Sequence, residues 1–461
     1  MEFVARLRRL WRIPGFRRLL SVRIVAQTAD GISQMGVISF ALFDPQRAAN
    51  AWAVVMVLSI TLLPFSIIGP FTGVLLDRWP RQRMVIVTES IRLVLCLAIA
   101  ALIAWTAAGG AALATVYVLV LVVLSFNRFL LNGLGAGLAD VVDKRDYLDA
   151  SSIMPMLGPL GMVAGGVVAG SIRLALGEAR ATEANALIFV VAGAFCIATV
   201  AFASRIGRLE IGPLPEVDGA APQTGSPAQI WHGLVDAWRY LRRRHPAMQG
   251  LGGVAVQHTM YGVLMTCIIM AYRNYFSPPG NPDAAVVPMG IWFGASGAGF
   301  VLSGIVAPWV GHRIGLRWAV TAFMLVSAVI QVAPGSIFVR PCLVVAAFIM
   351  GVCSQSVKVC ADTLVQLHVS DDYRGRVFAG YDMLNNVTLV LGALIAALVA
   401  PPRGLSLPVF LGVAAVLGLE GVAFALLSRP WADDPRRAST PPAPAPQPVG
   451  VSAADVRPDG T

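Results

Sequence analysis

The chain has 461 residues, is 57% hydrophobic and only 13% charged, with a mean hydropathy of +0.72. A soluble domain runs about 45–50% apolar and about 25% charged, so this composition excludes a soluble enzyme, a nucleic-acid binder and a disordered chain. It fits a polytopic membrane protein, and the formal net charge of +10 has to be judged by where the arginines sit.

In chain order, apolar runs predict helices over 19–43, 51–76, 84–106, 112–139, 150–175, 184–204, 248–272, 286–309, 318–338, 342–368, 377–400 and 406–428. Each is long enough to cross a hydrocarbon core of about 30 Å and far longer than a barrel strand of about 9–11 residues. The fold class read from this is an all-α polytopic membrane protein with twelve transmembrane helices. Only Lys144 and Lys358 are lysines, and with the Ala- and Gly-rich composition this arginine bias suggests a GC-rich bacterial genome. If the N-terminus is cytoplasmic, cytoplasmic segments hold 25 Lys and Arg and outer loops hold 6. By the positive-inside rule this predicts a multi-pass protein of the bacterial cytoplasmic membrane with both termini inside. The start is basic, but the apolar run after it is long and no small-residue cleavage site follows, so no secretory leader is expected.

The stretch 205–247 is the longest polar interval and separates six spans from six. It opens on a Pro/Gly/Ser-containing run and continues into an amphipathic segment, where Ile230, Leu234, Trp238 and Leu241 share one face beside Arg239 and Arg242 to Arg244. That pattern predicts an interfacial helix on an anionic leaflet. The organisation expected is 1–204 as one six-helix half, 205–247 as a cytoplasmic linker, 248–431 as a second half, and 432–461 as a Pro-rich disordered tail.

The halves echo each other. Asp146-Tyr147 after the fourth span recurs as Asp372-Tyr373 after the tenth, at an offset of 226. Gly73, Asp77, Arg78, Arg81 and Arg83 follow the second span, and Pro308, His312, Arg313, Gly315 and Arg317 follow the eighth. Two pseudo-symmetric six-helix halves imply a duplicated transporter with its site between them.

The segment from Gly73 to Arg83 resembles motif A of the major facilitator superfamily, G-x-x-x-D-R-x-G-R-x-R, with Pro80 in place of the second glycine. Arg374-Gly375-Arg376-Val377-Phe378 is similar to the RGRVF segment of drug-exporter-like members. Arg128 with Gly133 in span four, and Gly158, Pro159, Gly161, Gly165, Gly166 and Gly170 in span five, resemble antiporter motifs with altered spacing. On span five the glycines read either as close helix packing or as a helix whose bending is restricted. The resemblance implies twelve helices with spans one, four, seven and ten lining a cavity, and motif A closing the cytoplasmic side. Carried onto this chain, the gating set is Gly73, Asp77, Arg78, Arg81, Arg83, Glu89, Arg92, Arg374, Arg376 and Asp382, with Asp77 acting on the start of span eleven.

Ionisable groups inside spans are costly and mark function by default. Asp30, Arg128, His258 and Lys358 each lie about 10–12 residues, roughly 15–18 Å, from the cytoplasmic end of their span, hence near the midplane. Asp30 has Gln27 and Gln34 at helical spacing. It reads either as a proton-titrating carboxylate or as a permanent ion pair with Arg128. Asn127 adjoins Arg128, and Lys358 has Asp362 one turn on. His258 reads as a packed neutral histidine or as a coupling group.

The function expected is a secondary active transporter moving a small molecule by alternating access, with proton-coupled efflux the leading reading. Uptake of an anionic metabolite and a non-transporting sensor or scaffold on the same fold are the alternatives. Neither lysine follows a glycine, so there is no phosphate loop, and HExxH and GxSxG are lacking; no enzyme activity is expected. The six cysteines form no metal-ligand spacing, so no metal and no cofactor are expected. The partners expected are a small-molecule substrate, protons and the lipid bilayer, without nucleic acid, for a monomeric protein.

Overall fold

The computed structural model describes residues 8–42, 50–68, 80–105, 110–207, 210–211, 227–278 and 281–428. The described residues are helical almost throughout. The elements in order are α1 (Pro14–Leu42), α2 (Ala51–Ile68), α3 (Arg81–Trp105), α4 (Gly110–Val141), α5 (Lys144–Leu176), α6 (Ala181–Ala203), α7 (Pro227–Arg242), α8 (His245–Asn274), α9 (Val286–Val332), α10 (Arg340–His368), α11 (Asp371–Val399) and α12 (Leu407–Leu427). Prolines open α8, α10 and α12, where a missing N–H costs nothing and the fixed φ suits the first turn. The linker run 212–226 and the expected tail 432–461 lie outside the described residues.

Eight helical stretches are long and apolar enough to cross a membrane, the longest being Asp283–Val332 at 50 residues. That stretch is two spans. Gly315, at φ +80° and ψ 158°, interrupts α9 between them, as the separate runs 286–309 and 318–338 predict. The turn needs a residue free to enter the left-handed region. Pro80 holds the corresponding place in the first repeat, and its ring fixes φ near −65°, so the two copies do not share this turn. The α1 segment is too rich in Arg, Gln and Asp to count by apolarity, while α2 and α4 contribute the shorter apolar stretches Ala51–Leu63 and Ala114–Asn127. This gives twelve spans, with α7 as an additional amphipathic helix.

Lipid-facing chemistry covers the outside. Val163, Val301, Ile305 and Leu419 are exposed, and exposed tryptophans lie at both ends of the bundle: Trp11, Trp238, Trp309 and Trp318 at one, Trp52 and Trp105 at the other. Such belts suit the two bilayer interfaces. We call the first the basic end, since it carries Arg239, Arg242, Arg243, Arg313 and Arg317, and the second the opposite end.

Several helix pairs cross with almost no side chain between them, among them α1–α5, α8–α11 and α9–α10, where a Cβ on Gly299 would meet the Phe348 oxygen at 2.2 Å and one on Gly351 the Ser296 oxygen at 2.3 Å. A Cβ on Gly31 of α1 would stand 1.9 Å from the Met162 carbonyl oxygen of α5, and one on Gly165 of α5 would stand 2.1 Å from the Thr28 carbonyl oxygen. The α8–α11 pair repeats this: a Cβ on Gly262 would meet the Leu389 oxygen at 2.3 Å, and one on Gly392 the Thr259 oxygen at 2.1 Å. The span-five glycines Gly158, Gly161 and Gly165 therefore face α1 as packing residues, whereas Gly166 and Gly170 face open space.

The buried apolar residues divide by depth. One cluster at the opposite end draws on all twelve spans, from Phe40, Val54 and Ile99 to Tyr272, Met289 and Phe410. At the basic end there are two separate clusters. One, with Phe16, Leu134 and Met154, lies within the first six spans and the turn after them; the other, with Leu241, Val357 and Tyr381, lies within α7 and the last six spans. The two groups of spans are thus joined at the opposite end and share no buried apolar cluster at the basic end among the described residues.

Candidate functional site

Asp30 is completely buried on α1, and its nearest charge is on α3. Arg92 donates from Nη2 to Asp30 Oδ1 and from Nη1 to Glu89 Oε1, and all three side chains are at 0% exposure. The arrangement follows from helix geometry. Glu89 and Arg92 are three residues apart and share a face of α3. Arg92 lies eleven residues beyond Arg81 at the start of α3, about 16 Å into the bundle. Among the described residues Asp30 pairs with Arg92; the Arg128 side chain, its expected partner, lies outside the described residues. Glu89 and Arg92, expected at the gate beside motif A, sit in the interior with Asp30 at 0% exposure.

The triad holds two carboxylates against one guanidinium. With both ionised it carries a net negative charge in a site without solvent, and Asp30 Oδ2, Glu89 Oε2 and Arg92 Nε have no hydrogen-bond partner. Charge balance is reached when one proton is bound. Gln27 is buried beside the Gly158 face of α5, Gln34 is half-buried, and Asn127 is buried with an unpartnered Oδ1.

In the later spans, Lys358 on α10 bonds Asp362 at 3.4 Å, one turn on, and its ammonium lies 4.8 Å from the Tyr381 ring centroid of α11. Lys358 is 21% exposed and Asp362 29%, so this pair is wetter than the Asp30 triad. Asp362 and the Tyr381 hydroxyl interact with each other without a close hydrogen bond. His258 Nδ1 lies 3.1 Å from the Val254 carbonyl oxygen on its own helix. That hydrogen bond matches the packed-histidine alternative.

Of the motif A residues, Gly73, Asp77 and Arg78 lie outside the described residues. Arg81 donates to Asp140 Oδ2 at 2.6 Å and to the Ile211 carbonyl oxygen at 3.0 Å, tying α3 to the end of α4. Arg83 is exposed. The Arg374 side chain is outside the described residues; Arg376 is exposed and lies across Gly233 of α7. Asp382 is exposed, and no ion pair joins it to Arg376 among the described residues.

Sequence reasoning missed the contacts at the opposite end. Arg173, fully buried in the last turn of α5, donates from Nε to Asp283 Oδ1 at 3.0 Å and from Nη1 to the Ala181 carbonyl oxygen at 3.2 Å. Asp283 lies in the 3₁₀ turn Pro282–Ala285 before α9. Arg273, at the end of α8, donates to the Leu42 carbonyl oxygen at the end of α1 at 2.9 Å. Both contacts join the first six spans to the last six. The Arg273 bond also fills one of the carbonyls that a helix C-terminus leaves unsatisfied. In the sequence, Arg173 and Arg273 are only outer-loop arginines; no spacing signal links them to Asp283 or to α1.

At the basic end, Tyr240 of α7 stacks on Tyr373 of α11 with centroids 4.4 Å apart and planes 3° apart, and its hydroxyl accepts from the Ser370 amide at 3.3 Å. Partial burial works to raise the Tyr240 phenol, but the hydrogen bond to Ser370 and the Arg244 guanidinium outweigh it and hold it below its usual range.

Twelve spans in two groups, joined at one end and carrying charge at mid-depth, define a polytopic transporter fold. The comparisons agree. A family model described as "Major Facilitator Superfamily" matches residues 259–457. An uncharacterized MFS-type transporter of Mycobacterium tuberculosis is 31% identical over 418 residues, covering 90% of this chain and 92% of that one. The uncharacterized MFS-type transporter YfiS of Bacillus subtilis is 23% identical over 410 residues, covering 85% and 88%. Among solved structures, the nucleoside transporter NupG superposes with a TM-score of 0.62 at 15% identity, covering 90% of this chain and 99% of that one. A bacterial homolog of the human lysosomal transporter Spinster, in an inward-facing and unoccupied conformation, gives 0.63 at 14%, covering 93% and 99%. The chain belongs to the major facilitator superfamily. It is a multi-pass secondary transporter with bacterial relatives, and not an enzyme.

Proposed function

We propose that this transporter is a proton-coupled exporter of a small amphipathic molecule, with both termini in the cytoplasm. The observation that carries the coupling is the Asp30–Arg92–Glu89 triad. It has two carboxylates and one guanidinium at zero exposure, so its charge balances only with a proton bound. The arginine distribution supports assigning the basic end to the cytoplasm. On that assignment the Arg173–Asp283 and Arg273–Leu42 contacts lie on the outer side and support its closure. Export is favoured by the likeness of Arg374 to Phe378 to drug-exporter-like members.

In this reading the substrate enters from the cytoplasm and the two groups of spans rock about a mid-depth site. The triad takes a proton from outside and releases it inside. The test is transport in inverted membrane vesicles with an external pH dye. Asp30→Asn should abolish substrate-dependent proton flux while leaving the protein folded and monodisperse; full proton-coupled activity in that variant refutes the assignment. A second reading, movement of an anionic molecule, is favoured by the partly exposed Lys358 ammonium. A counterflow panel of anionic and cationic compounds separates the two, and loss of anion counterflow in Lys358→Gln would support it.

A further inference from the structure

An apolar groove of about 410 Å³ lies at the basic end, between α7, the start of α8 and one face of α11. We propose that it is a binding site for one anionic phospholipid of the leaflet at that end. The α11 wall is a single helical stripe, Arg376, Gly380, Leu384 and Val387 at i, i+4, i+8 and i+11. From Arg376 to Val387 is eleven residues, about 16 Å along the helix. That matches the depth of one leaflet of a hydrocarbon core about 30 Å thick. The wall therefore runs from headgroup level to the midplane.

The two ends of the groove differ in chemistry as a phospholipid does. Trp238 and Leu241 of α7 complete its apolar sides, and Trp238 and Val387 are each 44% exposed, so the groove opens toward lipid. At its other end Arg376 lies across α7, with its Nε 3.5 Å from where a Cβ on Gly233 would stand. Among the described residues no carboxylate pairs with Arg376. Arg242 and Arg243 are exposed at the end of α7, and Arg239 has only a 3.4 Å surface contact with Asp236. Basic residues next to a membrane attract anionic headgroups. A phosphate on Arg376, which already lies across Gly233, would fix α11 to α7, with an acyl chain lying against Leu384 and Val387 and the α7 arginines adding positive charge at that surface. The Tyr240–Tyr373 stack already holds the same two helices together one turn away.

Native mass spectrometry of the purified full chain, with phosphatidylglycerol or phosphatidylcholine added, tests this. The parent should retain one phosphatidylglycerol at least tenfold more strongly than phosphatidylcholine. Arg376→Gln should lower phosphatidylglycerol retention to the phosphatidylcholine level. Gly380→Leu should lower both, because a Cβ at Gly380 meets nothing within 4 Å and the new side chain fills the groove without moving the backbone. Equal retention of the two lipids by the parent, or unchanged phosphatidylglycerol retention in both variants, overturns the proposal. So would phosphatidylglycerol occupancy that appears only after residues 432–461 are deleted, since that makes the tail the occupant. A proximity measurement guards against variants that fold poorly. Phosphatidylglycerol brominated on its acyl chains should quench a component of the fluorescence of the unaltered groove that Trp238→Phe removes, and no difference between these two proteins counts against the site.

Discussion

Replacing Arg92 with leucine tests the buried triad most directly. In the parent, one guanidinium serves Asp30 and Glu89, and none of the three is exposed to solvent. The substitution keeps much of the side-chain volume and removes the cation that the two carboxyls share. Asp30 Oδ2 and Glu89 Oε2 already lack partners, so Arg92→Leu leaves both carboxyls without their ionic partner. Breaking a buried ion pair from one side costs about 3–5 kcal/mol, and a site this dry gives no reason to fall below that range. The assay is built into the chain: Cys96, Cys196, Cys267, Cys353 and Cys360 are free and buried, so a thiol-reactive dye reports unfolding as they become accessible. Arg92→Leu should lower the unfolding temperature markedly. Combining it with Asp30→Asn and Glu89→Gln should recover most of the loss, because no unpaired charge remains. An Arg92→Leu protein as stable as the parent, or a triple variant as unstable as the single one, refutes the description of the triad as a charge-coupled unit.

Two further predictions rest on other parts of the fold. Asp283→Asn removes the Arg173–Asp283 ion pair at the opposite end; truncating such a pair costs about 2–5 kcal/mol, enough to shift the open-to-closed ratio at that end more than tenfold. A cysteine placed at Phe40, buried in the shared cluster there, should become reactive to a membrane-impermeant maleimide in Asp283→Asn and stay protected in the parent; equal reactivity denies the contact a gating role. Gly31→Ala and Gly165→Ala should abolish monodisperse protein on size exclusion, because each Cβ would meet backbone oxygen at 1.9 and 2.1 Å, while Gly166→Ala, facing open space, should behave like the parent. Survival of the first two at parental yield would mean that α1 and α5 do not cross this closely.

The spans were legible because membrane insertion is a local property. A run of some twenty apolar residues identifies a crossing helix whatever it packs against, and even the break at Gly315 left its mark as a basic gap between two runs. The interfacial helix was legible for the same reason, through the spacing of its apolar face. Charge pairing was not, because it depends on the rotation of one helix against another. Asp30 and Arg92 are 62 residues apart, and nothing in either local pattern says that α1 turns its carboxyl toward α3. A depth argument singles out Asp30 and Lys358 from the sequence alone, since 1.5 Å per residue fixes depth along a span. Rotation has no such ruler. The glycines come nearest to supplying one: Gly31 and Gly165 allow α1 to meet α5 backbone to backbone, and that contact sets the azimuth of α1 and hence the side on which Asp30 emerges. A glycine stripe that looks like mere packing in the sequence therefore bears on which arginine the titratable carboxylate meets.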